Sequence, residues 1–176
     1  MKKLLIVVDY QIDFVTGSLG FPKAPALEEP ICRKIAAYRK AGDDVVFTLD
    51  THGDDYLETM EGKKLSVPHC LHGSEGWRLY GKTSVLKSPK DLTFEKPTFG
   101  SAGLMVYLQN HAYISIELCG LVTNMCVLAN AVLAKTAQPD AEIIVDAAAT
   151  ASFDAAMHEK ALDVMQGMHI TVLNRI

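Results

Sequence analysis

Long hydrophobic runs are missing from this sequence. The stretch from Leu118 to Ala134 is free of charged side chains, but it carries Thr123, Asn124 and Asn130. It also falls short of the ~20 apolar residues that a membrane helix needs, so no membrane partner is expected. Positive charge is equally scarce: 17 Lys and Arg stand against 21 Asp and Glu, a net charge of −4. That balance offers no basic field for phosphates and argues against nucleic acid as a partner. The four cysteines (Cys32, Cys70, Cys119, Cys126) form no CxxC pair and no dense framework, the usage of reduced thiols rather than of disulfides. The opening run Leu4-Leu5-Ile6-Val7-Val8 stops at Asp9 after five apolar residues, shorter than a signal-peptide core, so the cytoplasm is the expected compartment. No repeat or low-complexity tract appears.

What is present is a globular composition. Apolar residues make up 49% and charged residues 22% of 176 residues, which excludes a disordered, collagenous or coiled-coil chain. The length predicts one domain over 1–176, large enough to bury a core without disulfides or a structural metal.

Strand-like and helix-like segments alternate. Leu4 to Val8 is a short β-branched run typical of a strand buried on both faces. Helical spacing of Ile31, Ile35, Ala36 and Tyr38 predicts a helix over Glu28 to Ala41, with Gly42 as its stop. Asp44 to Leu49 reads as the second strand, and 50–82 as a long, mostly irregular functional loop. Thr83 to Leu86 reads as a weak third strand, Ser101 to Gln109 as a helix and Tyr113 to Leu118 as a strong strand. Cys126 to Gln138 is apolar nearly all round, which predicts a buried helix. Ala141 to Val145 follows as a strand, Phe153 to Gln166 as an amphipathic helix and His169 to Leu173 as the last strand. The fold class expected is α/β: a three-layer sandwich with a central, mostly parallel sheet covered by helices on both faces. Its crevice should lie beyond the carboxyl ends of the strands.

Three chemically complementary residues fall at or near such ends. Asp9 follows the first strand, Lys96 sits in the loop Thr93-Phe94-Glu95-Lys96-Pro97, and Cys126 follows Gly120-Leu121-Val122-Thr123-Asn124-Met125. Thr123 and Asn124 are N-cap residue types, which places Cys126 in the first turn of a helix. Unpaired N–H groups and the helix dipole there favour a thiolate and can hold an oxyanion. A second group lies in the 50–82 loop, where Asp50 and His52 are two apart and Glu58, Glu61, His69 and His72 follow. Carboxylates with neutral imidazoles suit a borderline divalent ion such as Zn²⁺, Mn²⁺ or Fe²⁺.

Five motifs, in order along the chain, carry a resemblance. They are Val8-Asp9-Tyr10-Gln11-Ile12-Asp13-Phe14, Asp50-Thr51-His52, and Pro68-His69-Cys70 with Gly73-Ser74-Glu75-Gly76. Lys96-Pro97-Thr98-Phe99-Gly100-Ser101 and Gly120-Leu121-Val122-Thr123-Asn124-Met125-Cys126-Val127 complete the set. The sequence resembles the isochorismatase-like cysteine hydrolases, and among them the nicotinamidases, over essentially its whole length. The resemblance implies a catalytic triad of Asp9, Lys96 and Cys126. It also implies a divalent metal, zinc first, held by Asp50, His52 and His69, with Glu61 the nearest candidate for a fourth ligand and Glu58 open as an alternative. The backbone N–H groups of Val122 and Cys126 would form the oxyanion hole, next to a cis bond at Leu121–Val122.

Two positions depart from the family pattern. Ser66 stands where nicotinamidases often carry a ring-stacking Trp, leaving Phe14 and Phe99 as the candidate aromatic walls, and Asn124 stands where Asp is usual. The activity implied is cysteine-dependent hydrolysis of a small amide, nicotinamide foremost, by a homo-oligomer. An N-carbamoyl or ureido amide hydrolase of the same family and a non-catalytic binding relative are the alternatives.

Overall fold

The structure, a computed structural model, describes residues 2–175. Six strands form one sheet: β1 (Lys3–Val8), β2 (Asp44–Asp50), β3 (Thr93–Lys96), β4 (Ser115–Leu121), β5 (Glu142–Ala151) and β6 (Thr171–Leu173). Their order is β3-β2-β1-β4-β5-β6, and every neighbouring pair is parallel. The expected three-layer α/β architecture is therefore present.

Strand alternation explains how β1 serves two cores at once. Leu4, Ile6 and Val8 point to one face, where they meet Leu104 and Leu108 of α5 (Ala102–Asn110), Ala131 and Ala134 of α6 (Leu128–Ala137), and Leu162 and Met165 of α7 (Ala155–Gly167). Leu5 and Val7 point to the other, against Phe14 of the short α1 (Ile12–Val15) and Ile31 and Ile35 of α2 (Glu28–Ala41). A strand covered on both sides has no polar face, hence the unbroken apolar run. Gly42 ends α2 at φ 77°, a left-handed position that glycine takes without strain, and its N–H reaches back to the Arg39 and Tyr38 carbonyls.

Several boundaries differ from the sequence reading. Thr83 to Leu86, read as a strand, belongs to a helix, α4 (Gly81–Leu86). The Glu28 carboxylate accepts from Lys82 N at 2.8 Å at its start and the Thr83 hydroxyl bonds back to the Tyr80 carbonyl, so a cap from a distant residue and a local one together override β-branched propensity. The true third strand is Thr93–Lys96, hidden because its polar residues lie on a sheet edge. The 50–82 segment is less irregular than expected: it holds a 3₁₀ turn (Tyr56–Glu58), α3 (Met60–Lys64) and an isolated parallel bridge between His52 and Leu71. β5 continues past Asp146 to Ala151, because Asp146 is a buried residue paired to Lys34 rather than a strand end. The helix expected from Cys126 starts as a π-helical turn (Thr123–Val127), and α6 buries one face only, through Asn130, Ala131 and Ala134.

Among the described residues no helix is long and apolar enough to cross a membrane, and all four cysteines are unbridged.

Candidate active site

The chain builds outward from β1 to β3 on one side and from β4 to β6 on the other, so the topological switch lies between β1 and β4. Open parallel sheets place their ligand crevice at such a point, beyond the strand carboxyl ends. Four ends converge here. Asp9 directly follows β1, Asp50 closes β2, Lys96 closes β3, and Cys126 sits in the π turn after β4. The backbones of β1 and β4 approach closely above this point: a Cβ on Gly120 would lie 2.0 Å from the Val8 carbonyl oxygen, at a φ of +114°. Only glycine fits there.

The sequence-predicted triad is brought together. Lys96 Nζ lies 2.6 Å from Asp9 Oδ2 and 3.5 Å from Cys126 Sγ. It also donates to the Thr98 carbonyl at 3.0 Å and to Asp50 Oδ1 at 3.4 Å. All three side chains are buried, with Lys96 2% and Asp9 0% exposed. Asp9 takes a positive φ of 44°, a region that Asp tolerates better than most residues. Its Oδ1 accepts from the Thr48 hydroxyl at 2.6 Å, whereas its Oδ2 has no well-aligned hydrogen-bond donor.

Electrostatics tie the three into one proton-sharing unit. Burial pushes the Asp9 carboxyl up, and the Lys96 charge only partly reverses that. Burial and then the Asp9 charge raise the Cys126 thiol well above its ordinary value, against the pull of Lys96. Lys96 is pushed down by burial, but the Asp9, Cys126 and Asp50 charges outweigh this and keep it an ammonium. Full burial beside Asp9 therefore works against the resting thiolate expected at a helix start, with Lys96 the group that favours it. Thr123 does not cap the turn either. Its hydroxyl lies 2.8 Å from Thr150 Oγ1 and 2.8 Å from His158 Nδ1, and Asn124 Oδ1 is buried without a partner.

Beside the triad stand Asp50, His52, Glu61 and His69, whose donor atoms all lie within 4.8 Å of one another. Asp50 Oδ2 is 2.9 Å from His52 Nε2 and 3.3 Å from His69 Nε2, while Glu61 Oε1 is 3.8 Å and 3.7 Å from the same nitrogens. Glu61 is the second carboxylate of this cluster beside Asp50, and Glu58 is not among its members. The set fits a divalent ion on its own chemistry. Two imidazoles and two carboxylates converge, the Glu61 carboxyl is raised by burial and by Asp50, and His69 Nδ1 lies 2.8 Å from the Val67 carbonyl, which orients Nε2 into the cluster. Tyr56 stacks edge-on against both imidazoles, at 4.8 Å and 5.0 Å between ring centroids.

A pocket of about 470 Å³ opens over both groups, lined in part by Asp50, Glu61, His69, Val122 and Cys126. Phe14 and Phe99, the expected aromatic walls, both line it. So does Phe153, which sequence reasoning missed. The strand-end rule would have reached it had β5 been followed to Ala151 rather than stopped at Val145.

Two positioning residues were also missed. Buried Gln11 accepts from Asp50 N at 2.8 Å and donates to the Asp50 carbonyl at 2.9 Å and the Trp77 carbonyl at 2.8 Å, pinning the end of β2. Asn130 donates to the Cys126 carbonyl at 2.8 Å and the Phe99 carbonyl at 3.1 Å and accepts from Ser101 N at 3.0 Å. It ties the nucleophile turn to the loop carrying Phe99. His158, given no role from sequence, stands behind the same turn through Thr123.

Comparison with known proteins shows the family and the fold. The Isochorismatase domain family matches residues 3–175. The chain is 34% identical to the "uncharacterized isochorismatase family protein PncA" of Bacillus subtilis (strain 168), over 92% of this chain and 93% of that protein. Among solved structures, the crystal structure of nicotinamidase PncA from Bacillus subtilis superposes with a TM-score of 0.87 at 34% identity, covering 99% of this chain and 100% of that one. The pyrazinamidase/nicotinamidase of Streptococcus mutans UA159 does so at 0.85 and 27%, over 98% and 100%. The pyrazinamidase of Pyrococcus horikoshii in complex with zinc shares the fold at 0.83 and 22%, over 99% and 100%. A parallel six-stranded sheet, its strand-end site and a family match spanning nearly every residue lead to one conclusion: this chain belongs to the isochorismatase family.

Proposed function

We propose that the chain is a cysteine-dependent amidohydrolase that converts a small aromatic amide, nicotinamide foremost, to its acid and ammonia. The observation that carries this reading is the convergence of Asp9 Oδ2, Lys96 Nζ and Cys126 Sγ at 2.6 Å and 3.5 Å, with Cys126 lining a pocket. Its relatives of similar length, the nicotinamidase of Bacillus subtilis among them, support the substrate class.

In this reading Asp9 accepts the Cys126 proton as the sulfur attacks the amide carbonyl. Burial raises both groups, so Asp9 takes the proton as a stronger base than an exposed carboxylate would be. Lys96 compensates the charge that appears on sulfur and then on Asp9. The backbone N–H groups of Val122 and Cys126 hold the tetrahedral oxyanion, a role worth about 2.7–4 kcal/mol per donor in comparable sites. Asp9 returns the proton to the departing nitrogen, ammonia leaves, and a thioester remains on Cys126. Water, deprotonated by Asp9, then hydrolyses the thioester and frees the acid.

Asp50, His52, Glu61 and His69 would hold a divalent ion at the pocket wall; such an ion supplies Lewis-acid polarisation and an anchor for a ligand nitrogen. The Phe14 ring, 5.5 Å from that of His69, would lie against the substrate ring on the same side.

The test is ammonia release from nicotinamide and from a panel of ureido amides, with Cys126→Ala alongside. We expect turnover of nicotinamide that the variant abolishes. Turnover surviving in Cys126→Ala removes the nucleophile assignment, and turnover confined to ureido compounds removes the substrate.

A further inference from the structure

The pocket is larger than a single-ring amide fills. Nicotinamide has nine heavy atoms. Even at the ~30 Å³ that one water occupies in the liquid, these would take up about 270 Å³, against a cavity of about 470 Å³. Pockets of roughly 300–1,000 Å³ usually take larger ligands. The residues around the space fall into two sets. Asp50, His69, Val122 and Cys126 carry the chemistry, while Leu19, Met60, Leu65 and Phe153 line the remainder with hydrocarbon.

Three of these four present large apolar surface to solvent: Phe153 is 62% exposed, Met60 69% and Leu65 38%. Phe153 is nevertheless held in place. It follows β5 by two residues, precedes the Asp154 cap of α7, and stands edge-on to Phe21 at 6.3 Å between ring centroids. A braced, exposed aromatic at the rim of an apolar cavity is a surface waiting for a ligand to cover it. Ser66, in the segment between Leu65 and His69, contributes no ring of its own: its hydroxyl turns back to the Gly62 carbonyl at 3.2 Å.

We propose that Phe153, with Leu19, Met60 and Leu65, forms an outer subsite that takes an apolar extension of the substrate, so that the enzyme accepts fused bicyclic aryl carboxamides at least as well as single-ring ones. The proposal rests on the amidohydrolase reading for its reactive end, and Phe153 is its specificity-determining residue.

The experiment compares quinoline-3-carboxamide with nicotinamide. In the wild-type protein kcat/KM for the bicyclic amide should equal or exceed that for nicotinamide. Phe153→Ala should lower the bicyclic-to-monocyclic ratio about tenfold, through KM rather than kcat, and Phe153→Leu should restore part of it. Calorimetric binding of both amides to Cys126→Ala gives the same comparison without hydrolysis. Tighter binding of the bicyclic amide without turnover of either would uphold the subsite and overturn the hydrolase reading. Turnover of nicotinamide alone, or an unchanged ratio in Phe153→Ala, would overturn the subsite and leave the hydrolase reading standing. A change in solution mass of Phe153→Ala with unaltered selectivity would assign the rim to contact between copies instead, and would equally overturn it.

Discussion

Lys96 is the residue on which the proposed chemistry depends most, and Lys96→Met tests it with a number. The ammonium sits 3.5 Å from the Cys126 sulfur. At an effective dielectric of about 20, a full charge at that distance is worth ~4.7 kcal/mol, or about 3.5 pKa units on the thiol. Thiolate population would fall by the same 3.5 decades. Part of this is regained because a more basic thiolate is intrinsically more nucleophilic, with a Brønsted slope of about 0.4–0.5, leaving a net loss of ~80-fold in the rate of attack on a disulfide. Asp9 also releases part of its hold. Burial already raises its carboxyl, so without Lys96 it takes up a proton and ceases to repel the thiolate. We therefore expect exchange of Cys126 with dithiodipyridine near neutral pH to slow by roughly 10–100-fold in Lys96→Met. The measurement belongs in a Cys32→Ser background, since Cys70 and Cys119 are buried but Cys32 is not. The same substitution strips a partner from two buried carboxylates and should cost about 3–5 kcal/mol of stability, so the exchange is read well below the melting range. Exchange at Cys126 as fast in Lys96→Met as in the parent would show that Lys96 does not support the thiolate, and the triad would fail with it.

Three further outcomes follow from the same geometry. Gly120→Ala would drive a methyl group to 2.0 Å from the Val8 carbonyl at a positive φ, so thermal unfolding should show a loss of at least ~3 kcal/mol or no folded protein; an unchanged melting temperature would contradict the close approach of β1 and β4. His52→Ala removes one of four converging donors, and elemental analysis after zinc dialysis should find about one ion per chain in the parent and well under half in the variant; equal zinc in both would move the metal elsewhere. Lys34 bridges Glu117 at 2.6 Å and Asp146 at 2.5 Å on the sheet face covered by α2. Burial pushes Asp146 up, but contacts with Lys34, Asn174 and Ala148 outweigh it and lower its folded value. Its contribution is thus present above the unfolded value near 3.9 and lost as pH falls through the folded one. Urea unfolding between pH 5 and 2 should show a steeper acid loss for the parent than for Asp146→Asn, and parallel curves would count against the pairing.

Sequence patterning and tertiary structure divide the account along a physical line. Local interactions are written in the chain: the β-branched run at Leu4 to Val8, the 3.6-residue spacing ending at Gly42, and the alternation that makes an α/β sheet all arise from neighbours within a few residues. The strand-end rule then picked out Asp9, Lys96 and Cys126 before any distance was known, because a parallel sheet sends every βα loop to the same edge. Thr83 to Leu86, read as a strand, and Thr93 to Lys96, read as a loop, were misplaced because a helix capped by distant Glu28 and an edge strand paired only to β2 owe their form to partners far along the chain. The choice of Glu61 over Glu58 came from where a 3₁₀ turn ending at Glu58 gives way to a five-residue helix carrying Glu61, which no spacing argument resolves. The protonation of Cys126 was likewise out of reach. Its position in a helix-like turn is local and argues for a thiolate, but its burial against Asp9 is a property of the assembled site and argues more strongly for the thiol. Residue types and order along the chain determined which groups could meet; only the folded sheet, by excluding water from their meeting point, set the surroundings that shift each one's hold on a proton.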